Sequence, residues 1–566
     1  MKSVTRIRLL SAICIFCAGL FIVRLYMIQI VSGPEFQARA DRQYSNPTQR
    51  IFDRGSIYFQ TKDGTSISAA TLRFGFTLTL NPTLISDAEK TYTALNAIVP
   101  LDRAVFMQRA LKKDDPYEEI ATRVTEADAN RIEALSLPGV RLFKERWRYY
   151  PGGTLASQVI GFMGYKGDEY SGRYGLEYHY NDTLRRDTKN IYVNFFAEIF
   201  SNINKKIFYN AEGEGNIITT IEPNVQVALE KEIGNISKTY KSKSTGAIIL
   251  NPQNGEIYAM ASYPSFDPNF FQTEKDPAVY SNPLVQSVYE MGSTIKPLTV
   301  AAGIDSGVIT PNSTYTDYGF LTLNKKTIYN YDKKGRGVVN MQEVLNQSLN
   351  TGVDHIASLL GEKRFKDYFE AMGLTEKTGI DLPTEANNLA GNLNSGRDIE
   401  MATISFGQGI ALTPISTVRA LATLGNGGFL ITPHIVKKIE YTSGFSKTPV
   451  YEKDKRAFAA ETSLAISRML VEVVDKALLN GTVKKEHYSI AAKTGTAQIT
   501  KPGGGYYDDR FLHSFFGYFP AYNPTYLVFM YTIEPQGEEY ASHTLTRPFM
   551  NMVQFLINYY EIPPDR

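Results

Sequence analysis

Apolar and polar residues follow two different periods along this chain, and the places where the pattern changes mark out its modules. After Lys2, Arg6 and Arg8 comes an uncharged run from Leu9 to Val23; Arg24 interrupts it, and Leu25 to Val31 resumes the apolar character. Crossing a bilayer takes about 20 residues. An arginine one turn from the end reaches the headgroups by its own length, so 9–31 is expected to span a membrane as a single helix, with Tyr26 at the interface. A cleaved signal peptide is the competing reading. No small-x-small site follows Val23 and the apolar run continues past Arg24, which favours an uncleaved anchor. Basic residues at the extreme N-terminus leave 1–8 as a cytoplasmic tail and put the rest of the chain outside.

Residues 32–215 mix short strand-like and helical stretches with polar turns and carry few candidate catalytic side chains. From 216 the pattern is more regular. Apolar positions at helical spacing run from Asn224 to Ile236, with Pro223 just ahead. Two apolar runs then flank Asn254-Gly255, a hairpin signal. Glu461 to Leu479 predicts an amphipathic helix closed by Asn480-Gly481. Tyr488–Ile499, His513–Ala521 and Thr525–Glu534 predict three successive strands. A module that begins with a helix and hairpin and ends in strands, with helices between, implies an α+β fold: an antiparallel sheet covered by helices.

Composition changes this picture little. Of the 566 residues 43% are apolar and 21% charged, enough to bury proper cores, and the length suggests two or three domains. A net charge of +2, from 60 basic and 58 acidic residues, calls for no nucleic acid. The two cysteines, Cys14 and Cys17, both lie in the apolar N-terminal run. The absence of thiols elsewhere suits an oxidising exterior and rules out disulfides or cysteine-held metal there.

Three short motifs carry the candidate chemistry. In Ser293-Thr294-Ile295-Lys296, a helix starting at Gly292 would turn the hydroxyl and the amine to the same face. A serine hydroxyl is a poor nucleophile until a base takes its proton, and lysine serves once burial or a neighbouring cation lowers its proton affinity. In Ser348-Leu349-Asn350, a turn would point the hydroxyl and the carboxamide into one cleft, to relay a proton and to bind a carbonyl or orient the lysine. In Lys493-Thr494-Gly495-Thr496, at a strand, Gly495 would let a substrate backbone approach, while Lys493 and the hydroxyls of Thr494 and Thr496 suit a terminal carboxylate. The N–H groups of Ser293 and Thr496 are candidates for an oxyanion hole. Alone, each has a bland explanation: helix cap, turn residue, solvated strand end. S-x-x-K occurs only at Ser293 and S-x-N only at Ser348, whereas K-T-G also occurs at Lys377-Thr378-Gly379, where a structural turn is expected.

With these three motifs in this order, the chain resembles a class B penicillin-binding protein, a monofunctional D,D-transpeptidase. GAIILNPQNGEIYAMASYPSFDPN, YEMGSTIKPLTVA, FGQGIALTPIS and KTGTAQ are similar to the transpeptidase module over most of 216–560. Asp53-Arg54-Gly55, YYPGGTLASQVIGFMG and GRYGLEYHYNDTL resemble pedestal segments. Two departures stand out. Met291 occupies the place of a proline usual in the family, and SIYFQTKDG intervenes before any D-R-x-G segment. The resemblance implies a penicillin-binding transpeptidase or serine β-lactamase-like fold at 216–566, on a mixed pedestal (dimerisation-like) domain at 32–215. It implies that Ser293 attacks the bond between the terminal D-alanines of a peptidoglycan stem peptide. Lys296 would act as base, Ser348 as relay, and Asn350 and Lys493 in support. Thr494, Gly495 and Thr496 would bind substrate. β-Lactams would acylate the same serine, with no metal or organic cofactor. The partners implied are a multi-spanning membrane glycosyltransferase and other cell-wall synthesis proteins. The YE-x-GS context around Ser293 leans to septal over elongation synthesis, and the location implied is the cell (inner) membrane.

Other readings meet specific obstacles. A β-lactamase shares the triplets but is normally small and soluble, and no deacylating glutamate is evident. A bifunctional class A enzyme needs a glycosyltransferase module that 1–215 does not show. A non-enzymatic β-lactam sensor or scaffold usually places a signalling domain across the membrane, where this chain is expected to have only 1–8.

Overall fold

The computed structural model describes residues 19–20, 24, 27, 52–112, 115–167, 169–186, 213–451 and 455–566. The expected anchor at 9–31 lies almost wholly outside them, and among the described residues no helix is long and apolar enough to cross a membrane. The described chain forms two units, one holding 72–148 and the other 54–71, 149–186 and 213–566.

Strands β1 (Ile57–Gln60) and β2 (Ser66–Leu80) open the described chain. In the first unit the later part of β2 pairs antiparallel with β3 (Glu118–Val124). Three short helices, α1 (Ala88–Asn96), α2 (Arg103–Ala110) and α3 (Glu126–Ala134), begin at Asp87, Asp102 and Thr125. Each of those side chains accepts a hydrogen bond from a backbone N–H of the first turn, which satisfies a donor the helix cannot. Leu78, Leu80, Leu95, Phe106 and Ile132 form the core.

The second unit is built on a five-stranded antiparallel sheet. Its strands are β4 (Ser244–Leu250), β5 (Ile257–Tyr263), β6 (Ala491–Thr500), β7 (Tyr506–Phe519) and β8 (Tyr526–Ile533), in the order β6-β7-β8-β4-β5. The period of two decides which side chain covers which face. Ala247, Ile249, Phe515, Val528 and Met530 face a cluster that contains Val225, Leu229 and Ile233 of the helix Pro223–Tyr240 and Phe549, Val553 and Leu556 of Thr546–Tyr560. Their neighbours Ile248, Leu250, Phe516, Tyr518, Phe529 and Tyr531 join the larger core on the other face. The helix expected at Asn224–Ile236 starts one residue earlier, where the Glu222 carboxylate accepts Val225 N–H at 2.7 Å, and continues to Tyr240. The three strands expected near the C-terminus are all present as successive antiparallel neighbours. The helix expected at Glu461–Leu479 is α-helical over Ala460–Glu472 and then widens and unwinds, with Leu479 and Asn480 at positive φ.

Also within the second unit, β1 pairs antiparallel with the start of β2 and parallel with Gly215–Thr219. Arg54, buried, forms an ion pair with the buried Glu177 at 2.7 Å and donates to Asn181 Oδ1 at 3.1 Å. This joins two of the segments that carry the pedestal resemblance.

Candidate active site

Ser293 lies on a tight 3-10 turn, Gly292–Thr294, that leads into the helix Lys296–Asp305, here α4, with Pro297 in its first turn. The turn is fastened from several directions. Gly292 N–H donates to Gly407 O at 3.0 Å. Met291 O accepts from Thr294 Oγ1 at 3.0 Å and from Ser514 Oγ of β7 at 2.7 Å. Met291, in the place of the usual proline, is fully buried. Gly292 has φ +61, and a Cβ on it would lie 2.7 Å from Thr496 O, so only glycine lets the turn pack onto β6 at this distance.

Among the described residues β6 is an edge strand, paired only with β7. Its outer side therefore offers backbone groups to which an extended peptide can add. Gly495 has a different function from the one its sequence suggests. A Cβ there would meet Ser514 Oγ at 2.4 Å, Met291 O at 2.7 Å and Thr294 N at 2.9 Å. The space it leaves is filled by the turn carrying Ser293, not kept for a substrate backbone. Thr494 and Thr496 flank it, half-buried. Thr496 Oγ1 accepts from Ala541 N–H at 3.1 Å, which leaves its own hydroxyl proton to donate.

Both lysines converge on Ser348. Lys296 Nζ donates to Ser348 O at 2.5 Å and reaches Ser348 Oγ at 3.2 Å. Lys493 Nζ reaches the same Oγ at 3.0 Å and Thr494 O at 3.1 Å. Ser348 is held at φ +54, a left-handed conformation costly for a side chain with a Cβ, of the kind that gathers at functional sites. Asn350 begins the helix Asn350–Ala371, here α5. Its backbone N–H donates to Asn330 Oδ1 at 3.0 Å and its Nδ2 to Tyr329 O at 2.8 Å.

Burial sets the charges. Lys296 has no exposed surface and Lys493 is 3% exposed. Desolvation brings the Lys493 ammonium down to about 7. Lys296 is pushed well below the ordinary lysine value by its burial and then by the charge of Lys493. The weakened hold of the Lys296 amine on its proton is what lets a lysine act as a base, beside a second amine that itself titrates near neutrality.

Sequence reasoning missed one member of this group. Asp354, one helical turn beyond Asn350, is 3% exposed and accepts from Ser405 Oγ at 2.9 Å, while its Oδ2 has no partner. Ser405 Oγ also lies 2.7 Å from Ala402 O, and its single proton cannot serve both acceptors. A proton on Asp354 resolves the conflict, and burial does raise this carboxyl to about 8, against the opposing pull of Ser405 and the Lys296 charge. The signal in the sequence was a lone acid in the apolar stretch GVDHIASLL. At Lys377-Thr378-Gly379, where a turn is expected, the chain is irregular: the turn lies just before it, at 372–375, and Gly379 has φ +75.

The chain is similar to known proteins in sequence and in fold. Residues 245–553 match the model of the penicillin binding protein transpeptidase domain, and residues 53–206 that of the penicillin-binding protein dimerisation domain. Stage V sporulation protein D of Bacillus subtilis is 29% identical over 98% of this chain and 86% of its own length. A probable peptidoglycan D,D-transpeptidase FtsI of Caulobacter vibrioides is 30% identical over 82% of this chain and 73% of its own. Penicillin binding protein 3 of Mycobacterium tuberculosis, solved in complex with aztreonam, shares the fold with a TM-score of 0.68 at 22% identity, covering 91% of this chain and 98% of that one.

Proposed function

The chain belongs to the class B penicillin-binding proteins, and from that premise we propose that it cross-links peptidoglycan through an acyl-enzyme on Ser293. The meeting of two buried lysine amines at the Ser348 hydroxyl, next to the glycine-packed turn of Ser293, carries this reading. Ser293 Oγ attacks the carbonyl carbon between the two terminal D-alanines, and its proton passes to the neutral Lys296 amine. The negative charge on the carbonyl oxygen is met by N–H groups at the Ser293 turn and the β6 edge, each donor worth about 3 kcal/mol. Collapse breaks the C–N bond, and Ser348 passes the proton to the departing D-alanine amine. An amine of a neighbouring stem then attacks the ester, loses its proton to Lys296 and releases Ser293 Oγ, which regains that proton. Lys493, Thr494 and Thr496 hold the terminal carboxylate, and Asn350 supports the relay. A β-lactam enters by the same first step and leaves slowly.

The wider assignment has the same basis. A tail at 1–8, an anchor at 9–31, a pedestal at 32–215 and a transpeptidase domain at 216–566 place catalysis outside the membrane, where a multi-spanning glycosyltransferase would supply nascent strands. The names of the relatives and the YE-x-GS context support septal synthesis, and depletion is expected to give filaments, whereas round cells would point to elongation. Labelling with fluorescent penicillin tests the centre of the proposal. The intact protein takes up one label per chain and Ser293→Ala takes up none; labelling that survives in Ser293→Ala refutes it.

A further inference from the structure

Between α4 and α5 the chain makes a lobe of two small antiparallel pairs, Thr314–Asp317 with Gly337–Asn340 and Phe320–Leu323 with Lys326–Tyr329. Its inner side is tied to the site. Asp317, 2% exposed, accepts from Gly319 N–H at 2.8 Å, Asn330 Nδ2 at 3.0 Å, Arg336 N–H at 3.0 Å and Thr351 Oγ1 at 2.8 Å. Asn330 in turn holds the Asn350 N–H. A buried carboxylate with four donors leaves this lobe little freedom relative to the start of α5.

Its outer side has no such partners. Tyr329 and Tyr331 are 46% and 57% exposed. The Lys333 ammonium lies 5.7 Å from the Tyr329 ring centre, and the Arg336 guanidinium 5.8 Å from that of Tyr331. Tyr331 also meets Tyr540 edge to face at 6.0 Å, and Tyr540 directly precedes the residue whose N–H binds Thr496. The tyrosine pair therefore links the lobe that holds Asn350 to the segment that holds Thr496 of β6. Arg336 is neutralised by Asp332 at 2.7 Å. Lys333 and Lys334 are exposed and have no carboxylate in ion-pair contact among the described residues. Exposed aromatic surface beside cations without acid partners, tied to the segments that hold Asn350 and Thr496, marks a binding surface.

We propose that this patch, Tyr329, Tyr331, Lys333, Lys334 and Tyr540, binds the glycan strand and the acidic stem peptide that lead into the active site. The proposal rests on the transpeptidase reading and extends it from the two reacting residues to the polymer behind them. The negative face of a tyrosine ring attracts the polarised C–H groups on the flat side of a pyranose. Two lysines without acid partners suit the stem carboxylates that Lys493 does not reach. A β-lactam, which carries neither sugar nor stem, would not touch this surface.

That contrast supplies the test. Full-length protein and the double variant Lys333→Glu/Lys334→Glu are compared in two assays: acylation by fluorescent penicillin, and co-sedimentation with purified uncross-linked glycan strands. The expected result is strand affinity at least about 10-fold lower, with a weaker dependence on salt, and acylation within about twofold of the parent. Tyr331→Ala is expected to lower strand affinity severalfold with the salt dependence unchanged. Unchanged strand binding in the double variant overturns the proposal. So does a matched loss of binding and acylation, which would mean the lobe only holds Asn350 in place. Failure of the parent to acylate would sink the transpeptidase reading instead, and leaves strand binding still measurable.

Discussion

The same three letters, K-T-G, occur twice in this chain and do different work. Lys493-Thr494-Gly495 lies on an edge strand, with its lysine 3% exposed and aimed at the Ser348 hydroxyl. Lys377-Thr378-Gly379 lies in an irregular loop with its lysine exposed. There the backbone N–H groups of Thr378 and Gly379 are taken by the Glu385 carboxylate at 2.7 and 3.2 Å. One copy leaves its polar groups at a cleft; the other uses them to close a loop. The difference lies in what each triplet packs against. An amine becomes chemically useful when burial lowers its proton affinity and a second polar group shares its target.

The largest effects should separate the two copies outright. Ser293→Ala is expected to reduce penicillin acylation by more than about 1,000-fold, since the other hydroxyl of that turn, Thr294, is buried and engaged by Met291 O. Lys493→Ala removes the cation offered to the substrate carboxylate and is expected to lower the second-order acylation constant by about 100-fold. Lys377→Ala should leave it within about twofold. Equal losses at both lysines would break the comparison. The pH profile sharpens it. In the free enzyme Lys493 binds a carboxylate only while protonated, so drug affinity should fall as pH rises through about 7. That limb should be missing in Lys493→Ala and kept in Lys377→Ala.

The glycines give the next effect. Gly495→Ala places a methyl group against Met291 O and Ser514 Oγ, and the Ser293 turn has to move. Acylation should drop about 10-fold or more, because a displacement of an ångström is costly for a positioned nucleophile. Gly379→Ala meets nothing closer than 3.9 Å but must adopt φ +75. It should cost about 1 kcal/mol of stability and no activity. Thermal melting beside acylation kinetics reads both quantities.

These contrasts also mark how far the sequence could be read. The order of the triplets and the three C-terminal strands have local signatures: spacing and a period of two. Ile57 pairing with Ile217 across the intervening chain has none, because nothing in either segment names its partner. Gly495 was readable as a close approach but not as to what approaches; the answer depends on a turn some 200 residues earlier. Asp354 was overlooked because an acid in an apolar helix looks like an ordinary polar interruption until the lysine beside it is known. The aromatic patch was hidden for a similar reason. The sequence holds 36 tyrosines, and nothing in it says that Tyr331 and Tyr540 meet edge to face.

The smallest expected effect compares two buried carboxylates, one from each environment. Glu385 has both oxygens engaged by backbone N–H groups. Glu385→Gln must turn an amide NH2 toward one of these donors and should cost about 1–2 kcal/mol. Asp354 has one oxygen without a partner, and its carboxyl is raised to about 8 from the ordinary aspartate value near 4. A group raised on folding holds more protons in the native state between those two values. Its contribution to stability is therefore complete at low pH and is lost as pH climbs through about 8. Asn at 354 has the same shape and never ionises. The melting temperature of Asp354→Asn relative to the parent should accordingly rise between pH 5 and pH 9, by about 1–3 °C for a chain of this size. With Asp354 protonated below about 8 the same variant removes no charge there, so the acid limb of the acylation profile should stay where it is. A melting difference that stays flat or falls with pH would mean that Asp354 is already ionised in the folded protein, and that Lys296 shares its pocket with a full negative charge.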